Sequence, residues 1–493
     1  MLEGNATAAR GTAVLVLSQS CMLVLGYLTV VIMAREFGPV TYGAYGVIMS
    51  VLVWLEESGR NAIPAATTKL VAEATDGSAE LEHSALVVNV AVYGIFFILL
   101  WVAAPWLASW FGIADGTLLF RVAAIDLPFF GAYTAYRAIY QGHRRFFQLG
   151  LSQVLYALTK LVGVLLLIRY DLSVRDVLLV NVAATLIGLA CLRPAGSLRW
   201  PEHFFKQIAP LMSTSASIGL YYFVLLLRSS LILWMLQILS PKSAGTMIGV
   251  FVAAFNIARV PTMLVATVTT VILPSVSRAL AANDEQLARR YINQALRFCF
   301  IFYLPVCLVL MAQPEELIQW IYSKDFSGGG LVLSLLVAGE GIHLVHAILC
   351  SALTAAGQAR RAAVLEILTL VPAVAMYIFL IHNWGAAGAA LSNVLIGLIG
   401  NLILGILVWK RFATFMNKRS ALNIGVSACL MYLVFQLLSN FDGIVMMPYA
   451  GGLAAYGIGL LVFQEITRQD FAALVPWNRL KRYEVPSDDA AHH

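Results

Sequence analysis

The sequence predicts an all-α polytopic membrane protein with about fourteen transmembrane helices. Three observations predict it. The 493-residue chain has a mean hydropathy of +0.82. Only 12% of its residues are charged and 60% are apolar, against roughly 25% charged in soluble domains. Apolar runs of about 20 residues, the length that crosses a bilayer core, recur along the chain with short polar joints between them. A soluble fold of this length could not hide so much apolar surface, so lipid is the solvent for most of it.

The spans follow in order. The first lies near 11–34 and carries no charged side chain between Thr12 and Ala34. It is too long for a signal-peptide core and has no convincing cleavage site, so it is expected to remain as a helix. The second, near 42–68, carries Glu56, Glu57 and Arg60. The third, near 84–111, is apolar almost throughout. The fourth, near 117–141, holds Asp126, Arg137 and the tyrosines Tyr133, Tyr136 and Tyr140. The fifth, near 147–168, holds Lys160, and the sixth runs near 175–192. The seventh, near 207–238, is apolar on both sides of Arg228. The eighth, near 244–275, carries Asn256 and Arg259 ahead of the helix-bending Pro261. The ninth and tenth lie near 290–312 and 328–355, the latter with Glu340, His343 and His346. The eleventh, near 361–381, holds Glu366, and the twelfth runs near 386–409. Two more, near 421–439 and 444–466, close the array.

Lys and Arg set the orientation. With the N-terminus in the cytoplasm, Arg10, Arg144, Arg145, Arg193, Arg199, Arg360, Arg361, Lys410, Arg411, Arg468 and Lys481 fall on the cytoplasmic side, with most of the other basic loop residues. Only Arg35, Arg169, Arg175, Lys242 and Lys324 fall outside. Both termini are therefore expected in the cytoplasm. The net charge of +6 reflects this loop bias, so nucleic acid is not an expected partner. The six cysteines are scattered without CxxC spacing, which argues against a disulfide framework or a metal site. No P-loop is present, so direct use of ATP is not expected.

The first twelve spans read as two related halves. Phe37-Gly38-Pro39-Val40-Thr41-Tyr42-Gly43 follows span one, and Leu239-Ser240-Pro241-Lys242-Ser243-Ala244-Gly245 follows span seven. Gly142 after span four matches Gly357 after span ten. Asn181 with Gly188 matches Asn393 with Gly400. The expected organisation is an N-terminal six-helix bundle over 1–200 and its repeat over 201–412. Two additional helices over 413–467 and a cytoplasmic tail over 468–493 complete it. Repeats in the same membrane orientation typically place a substrate site between the halves.

Charges at membrane depth are costly and usually face a cavity. Arg60, Arg228 and Arg259 lie well inside spans two, seven and eight, with Glu56 one turn before Arg60 and Asn256 at i−3 from Arg259. Lys160 and Arg137 are further cationic candidates. These side chains either line a cationic cavity or are neutralised locally, as Arg60 would be by Glu56 or Glu57. Arginine forks match phosphate oxygens in pairs. Arg121 and Arg297 lie near span ends, where they are expected to snorkel. Glu340, His343 and His346 share one face, and Asp126 and Glu366 are also at depth. This set either senses or carries protons or forms a hydrogen-bonded helix pair. Tyr133 and Tyr140 either wall a sugar-binding cavity or pack the core.

Arg35-Glu36-Phe37-Gly38-Pro39 with Tyr42-Gly43-Ala44-Tyr45-Gly46 resembles the region after helix one in polysaccharide transporters, the Wzx-type O-antigen flippases and their relatives. Ala352-Leu353-Thr354-Ala355-Ala356-Gly357-Gln358 and Trp384-Gly385-Ala386-Ala387-Gly388-Ala389-Ala390 resemble two later segments of that family. The resemblance implies membership of the multidrug/oligosaccharidyl-lipid/polysaccharide (MOP) exporter superfamily and a V-shaped pair of six-helix bundles. It implies a transporter, not an enzyme: a flippase that turns an undecaprenyl-pyrophosphate-linked oligosaccharide from the inner to the outer leaflet of the bacterial inner membrane for cell-surface polysaccharide synthesis. A polysaccharide polymerase and glycosyltransferases are the implied partners beside membrane lipids. The family pattern often has an acid shortly after the arginine of span seven, where this chain has Ser229 and Ser230.

The expected mechanism has Arg60, Arg228 and Arg259 clamp the pyrophosphate, with Lys160, Arg137, Asn256, Tyr133 and Tyr140 lining the cavity. Glu56, Asp126, Glu340, His343, His346 and Glu366 are the coupling or gating candidates. No cofactor is expected; the drive is membrane potential, H+ or Na+. The alternatives are a lipid II flippase, a multidrug or cation antiporter, and a membrane glycosyltransferase or ligase. The antiporter would need an acid in span one, which has none, and the enzyme would need a sizeable outside loop.

Overall fold

The computed structural model describes residues 2–73, 78–192, 204–240, 245–439 and 446–466. Residues 241–244 of the second repeat motif, the basic residues Arg193, Arg199, Lys242, Arg468, Arg479, Lys481 and Arg482, and the tail 468–493 lie outside the described residues.

The described chain is helical. Its elements are α1 (Leu2–Arg60), α2 (Ile63–Glu73), α3 (Ser78–Phe111), α4 (Gly116–Ala124), α5 (Asp126–Gly142), α6 (Phe146–Leu167) and α7 (Val174–Ala190). They continue with α8 (Phe204–Leu239), α9 (Gly245–Ala281), α10 (Glu285–Ala312), α11 (Pro314–Ile321), α12 (Gly330–Ala355), α13 (Ala359–Phe412), α14 (Lys418–Ser439) and α15 (Met447–Val462). Ten helical stretches are long and apolar enough to cross a bilayer. Two of these, Ala13–Glu73 and Ala359–Phe412, have 61 and 54 residues, each enough for two crossings at about 1.5 Å per residue. With the shorter α7 and α15, every one of the fourteen expected spans has its helix.

The breaks in the long helices have local causes. Gly38 sits at φ 63°, ψ 172°, backbone essentially reserved for glycine. Pro39, with no N–H to lose, then starts the next span. Gly385 at φ 54°, ψ −129° divides α13 in the same way. Span four is split at Ile125 into α4 and α5. Pro128 cannot donate to the carbonyl four residues back, at Ala124, so the ladder opens there. The split makes Asp126 the first residue of α5, at the end of a helix that favours negative charge.

Contacts group the chain into two compact units. The first is Met1–Ala258 with Pro314–Gly339 and Arg360–Gly400; the second is Arg259–Gln313 with Glu340–Ala359 and Asn401–His493. In the first, α1 beyond its break packs against the start of α9 with no room for side chains. A Cβ on Gly249 would lie 1.8 Å from the Pro39 carbonyl oxygen, and one on Gly43 would lie 2.8 Å from the Gly249 nitrogen. The buried Tyr42 hydroxyl accepts from Asn256 Nδ2 at 2.8 Å. Arg35 donates to the carbonyls of Trp320 and Ile321 at 2.7 and 2.8 Å, closing the last turn of α11.

In the second unit, α14 and α15 pack on each other and on α10. Ile301, Ile424, Met431, Tyr456 and Leu460 form the shared core, and the Tyr456 hydroxyl donates to the Ile301 carbonyl at 3.1 Å. Arg297 does not snorkel as expected. Its Nε lies 3.4 Å from Glu465 Oε2, with Asn423 Nδ2 on the other carboxyl oxygen at 2.9 Å. A buried acid at the end of α15 outcompetes the headgroup region for that charge.

Candidate functional site

A cluster of buried polar residues lies in the first unit, where α1, α5, α6 and α7 meet. Glu56 and Asp126 are buried, with 5% and 0% exposure. Their carboxyls are close enough for their charges to interact. Asn181 Nδ2 donates to Asp126 Oδ2 at 2.8 Å, and the Thr185 hydroxyl donates to the Asn181 carbonyl at 3.2 Å. Glu56 Oε1 and Asp126 Oδ1 have no hydrogen-bond partner. The Lys160 ammonium is electrostatically close to both acids.

A ladder of rings and cations adjoins this pair. Lys160 Nζ sits 4.5 Å from the ring centroid of Tyr156, one turn earlier on α6. Tyr156 stacks on Tyr133 of α5 at 5.8 Å and 15°. The Arg137 guanidinium lies 5.4 Å from the Tyr133 ring, and its Nε is buried without an acceptor. Arg60 is bound to Glu57, and both are electrostatically close to Arg137. Glu57, not Glu56, therefore holds Arg60, and Glu56 is left to Asp126. Tyr140 is buried, with Arg145 5.7 Å from its ring.

The other expected residues form separate groups. Arg228 Nε lies 3.5 Å from Glu366 Oε2, with side chains 11% and 4% exposed. Tyr377, also on α13, is near enough to feel the Arg228 charge. The acid missing after Arg228 in sequence is thus supplied by span eleven. In the second unit, the charges of Arg259 and Glu340 interact, and the Thr262 hydroxyl donates to Glu340 Oε2 at 3.2 Å. Asn401 Nδ2 donates to the Ile342 carbonyl at 2.8 Å, so its Oδ1 accepts from His346 Nδ1 at 3.1 Å. His343, half-buried, stands three residues before His346 on α12. Asn256 is engaged by Tyr42. Among the described residues no group of three or more His, Cys, Asp or Glu could hold a metal ion.

Sequence reasoning did not single out Tyr156, Thr185, Tyr377 and Asn401 for the site. Tyr156 precedes Lys160 by four residues, and Thr185 follows Asn181 by four. Those spacings are the available signals; the partnerships of Tyr377 and Asn401 cross between distant helices and leave none.

The fold and these buried charges define a multi-pass membrane protein with the architecture of the MOP exporter superfamily. The chain belongs to the family described as "Polysaccharide biosynthesis protein", which it matches over residues 8–280. It is 22% identical to Stage V sporulation protein B of Bacillus subtilis (strain 168) over 364 residues, covering 67% of this chain and 69% of that protein. It is also 22% identical over 148 residues to the "Probable low-salt glycan biosynthesis flippase Agl15" of Haloferax volcanii. That match covers 30% of this chain and only 31% of the relative's length. Among solved structures, the lipid II flippase MurJ in an inward closed conformation superposes with a TM-score of 0.76 at 16% identity. The superposition covers 93% of this chain and 99% of that one.

Proposed function

We propose that this protein is a flippase that carries a polyprenyl-pyrophosphate-linked oligosaccharide from the cytoplasmic to the outer leaflet for cell-surface polysaccharide synthesis. The observation that carries the reading is the ladder Arg137–Tyr133–Tyr156–Lys160 beside Arg60. It offers cations for a pyrophosphate and rings for sugar faces at membrane depth. The family description and the flippase named among the relatives point the same way. Arg228 joins the clamp when Glu366 releases it, and Arg259 is a further cation for the cargo when Glu340 releases it. Glu56 with Asp126 is the coupling pair: with one proton on it the site keeps a net positive charge for the cargo, and without that proton the second carboxylate cancels it. Glu340, His343 and His346 are a second titratable set. An inside-negative potential assists export of an anion by roughly 2.3 kcal/mol per charge per 100 mV. The protein is placed in the cytoplasmic membrane with both termini inside, working beside a polymerase and glycosyltransferases.

A second reading, a lipid II flippase, rests on the solved structure named above. That cargo has the same pyrophosphate and polyprenyl chemistry. The test reconstitutes the full chain in proteoliposomes with fluorescent polyprenyl-pyrophosphate oligosaccharide or fluorescent lipid II, and reads outer-leaflet exposure under an imposed potential or pH gradient. Exposure of the oligosaccharide that Arg137→Gln and Lys160→Gln abolish supports the proposal. Exposure of lipid II alone transfers the site to the second reading, and exposure of neither overturns both.

A further inference from the structure

The end of α3 and the start of α4 enclose a cleft of about 580 Å³, lined among others by Ser109, Asp115, Thr117 and Arg121. It lies apart from the ladder and the carboxyl pair. It holds one cation and one anion that leave each other unpaired. Arg121 packs over the Trp101 ring at 5.3 Å, and its Nε is buried with no acceptor. Asp115 stands at the N-cap of α4 in the left-handed region, φ 53°, yet its side chain makes no capping hydrogen bond. A carboxylate at that position ordinarily caps the helix. Here it is left for something else.

The surroundings say what that is. Trp106 and Trp110 are 61% and 68% exposed on the last turns of α3. Exposed tryptophans in a spanning helix mark the headgroup level of the bilayer. Ile98, Trp101 and Pro105 share one face of α3, by their spacing of three and four. Ile98 and Trp101 are 58% and 38% exposed. This apolar stripe leads from the cleft toward the bilayer core. A ligand with a phosphate, an ammonium and an acyl tail matches all three features at once.

We infer that this cleft seats the head of a zwitterionic aminophospholipid. The Arg121 fork takes the phosphate, Asp115 takes the primary ammonium, the Ser109 and Thr117 hydroxyls serve the glycerol and phosphate oxygens, and one acyl chain follows the α3 stripe. A trimethylammonium head cannot donate a hydrogen bond to Asp115. An anionic head such as phosphatidylglycerol offers Asp115 only neutral hydroxyls and brings a net negative charge that it repels.

The test is native mass spectrometry of the delipidated full-length protein, titrated separately with dioleoyl phosphatidylethanolamine, phosphatidylcholine and phosphatidylglycerol. The expected order puts phosphatidylethanolamine severalfold ahead of the other two. Asp115→Asn is expected to erase that preference and Arg121→Gln to weaken all three. A melting curve shows that each variant is folded. Asp115 is exposed, so its variant decides the matter even if the Arg121 variant fails to fold. Equal binding of the three lipids, a preference for phosphatidylglycerol, or an unchanged order in Asp115→Asn overturns the inference. Binding is read without transport, so failure here is distinct from failure of the flippase reading.

Discussion

Glu56 of α1 and Asp126 of α5 are two buried acids close enough for their charges to interact. If a proton on this pair drives transport, Asp126→Asn removes one of the two acids while keeping a polar group toward Asn181. Wild-type flipping in proteoliposomes should then change steeply, by up to about tenfold per pH unit around the pair's transition, while the variant stays nearly flat. A variant with the wild-type pH profile would remove the pair from the coupling path.

The Arg228–Glu366 pair separates stability from transport. Breaking a buried ion pair by removing one partner strands a charge and costs about 3–5 kcal/mol, whereas replacing both with apolar groups is often neutral. Arg228→Met alone and Glu366→Leu alone should each lower the melting temperature in detergent, and the double variant should recover it. A clamp role for Arg228 adds a second expectation: the stable double variant still fails to flip cargo. Recovery of both stability and flipping would leave Arg228 as a structural residue.

These pairs show which part of the molecule could be read from sequence. The spans were legible because lipid imposes the same length and apolarity on each. The breaks at Gly38-Pro39 and at Gly385 were legible because glycine and proline punctuate a helix locally. The split before Asp126 had its signal in Pro128, but an apolar run continues through it and hides the change. That Arg60, Arg228 and Lys160 sit at depth was plain from their neighbours. Which acid meets which cation was not: Glu366 lies on α13 and Glu465 after α15, far along the chain from Arg228 and Arg297. Helix packing brings them together, and nothing local encodes that.

The glycine contact between α1 and α9 makes a steric prediction. A Cβ at Gly249 would overlap the Pro39 carbonyl, at 1.8 Å, and backbone cannot yield as a side-chain tip can. Gly249→Ala should destabilise this packing by about 1–3 kcal/mol, the usual cost of forcing an extra methyl into a filled site. The reading is a lower melting temperature, with loss of protection of Tyr42 and Asn256 in hydrogen exchange. Gly94→Ala, where a Cβ meets nothing within 4 Å, is the matched control and should leave both unchanged.

Glu315, on the short α11 outside the spanning segments, gives a pH-dependent stability with a definite sign. Burial alone would raise its carboxyl. The Gly328 N–H and the Gln319 amide on Oε1, at 2.7 and 2.9 Å, and the Gly330 N–H on Oε2 at 2.8 Å outweigh it. They hold the group below its ordinary value. A carboxyl lowered in the folded state stabilises the fold above its unfolded value, about 4.3. That contribution is lost as the pH falls through the folded value. Glu315→Gln should therefore melt below wild type at neutral pH, because an amide cannot accept on both sides. The gap should be constant above roughly pH 5 and close as the pH drops below about 4. A gap that persists undiminished in acid would mean that the carboxylate's charge plays no part in joining α11 to the start of α12.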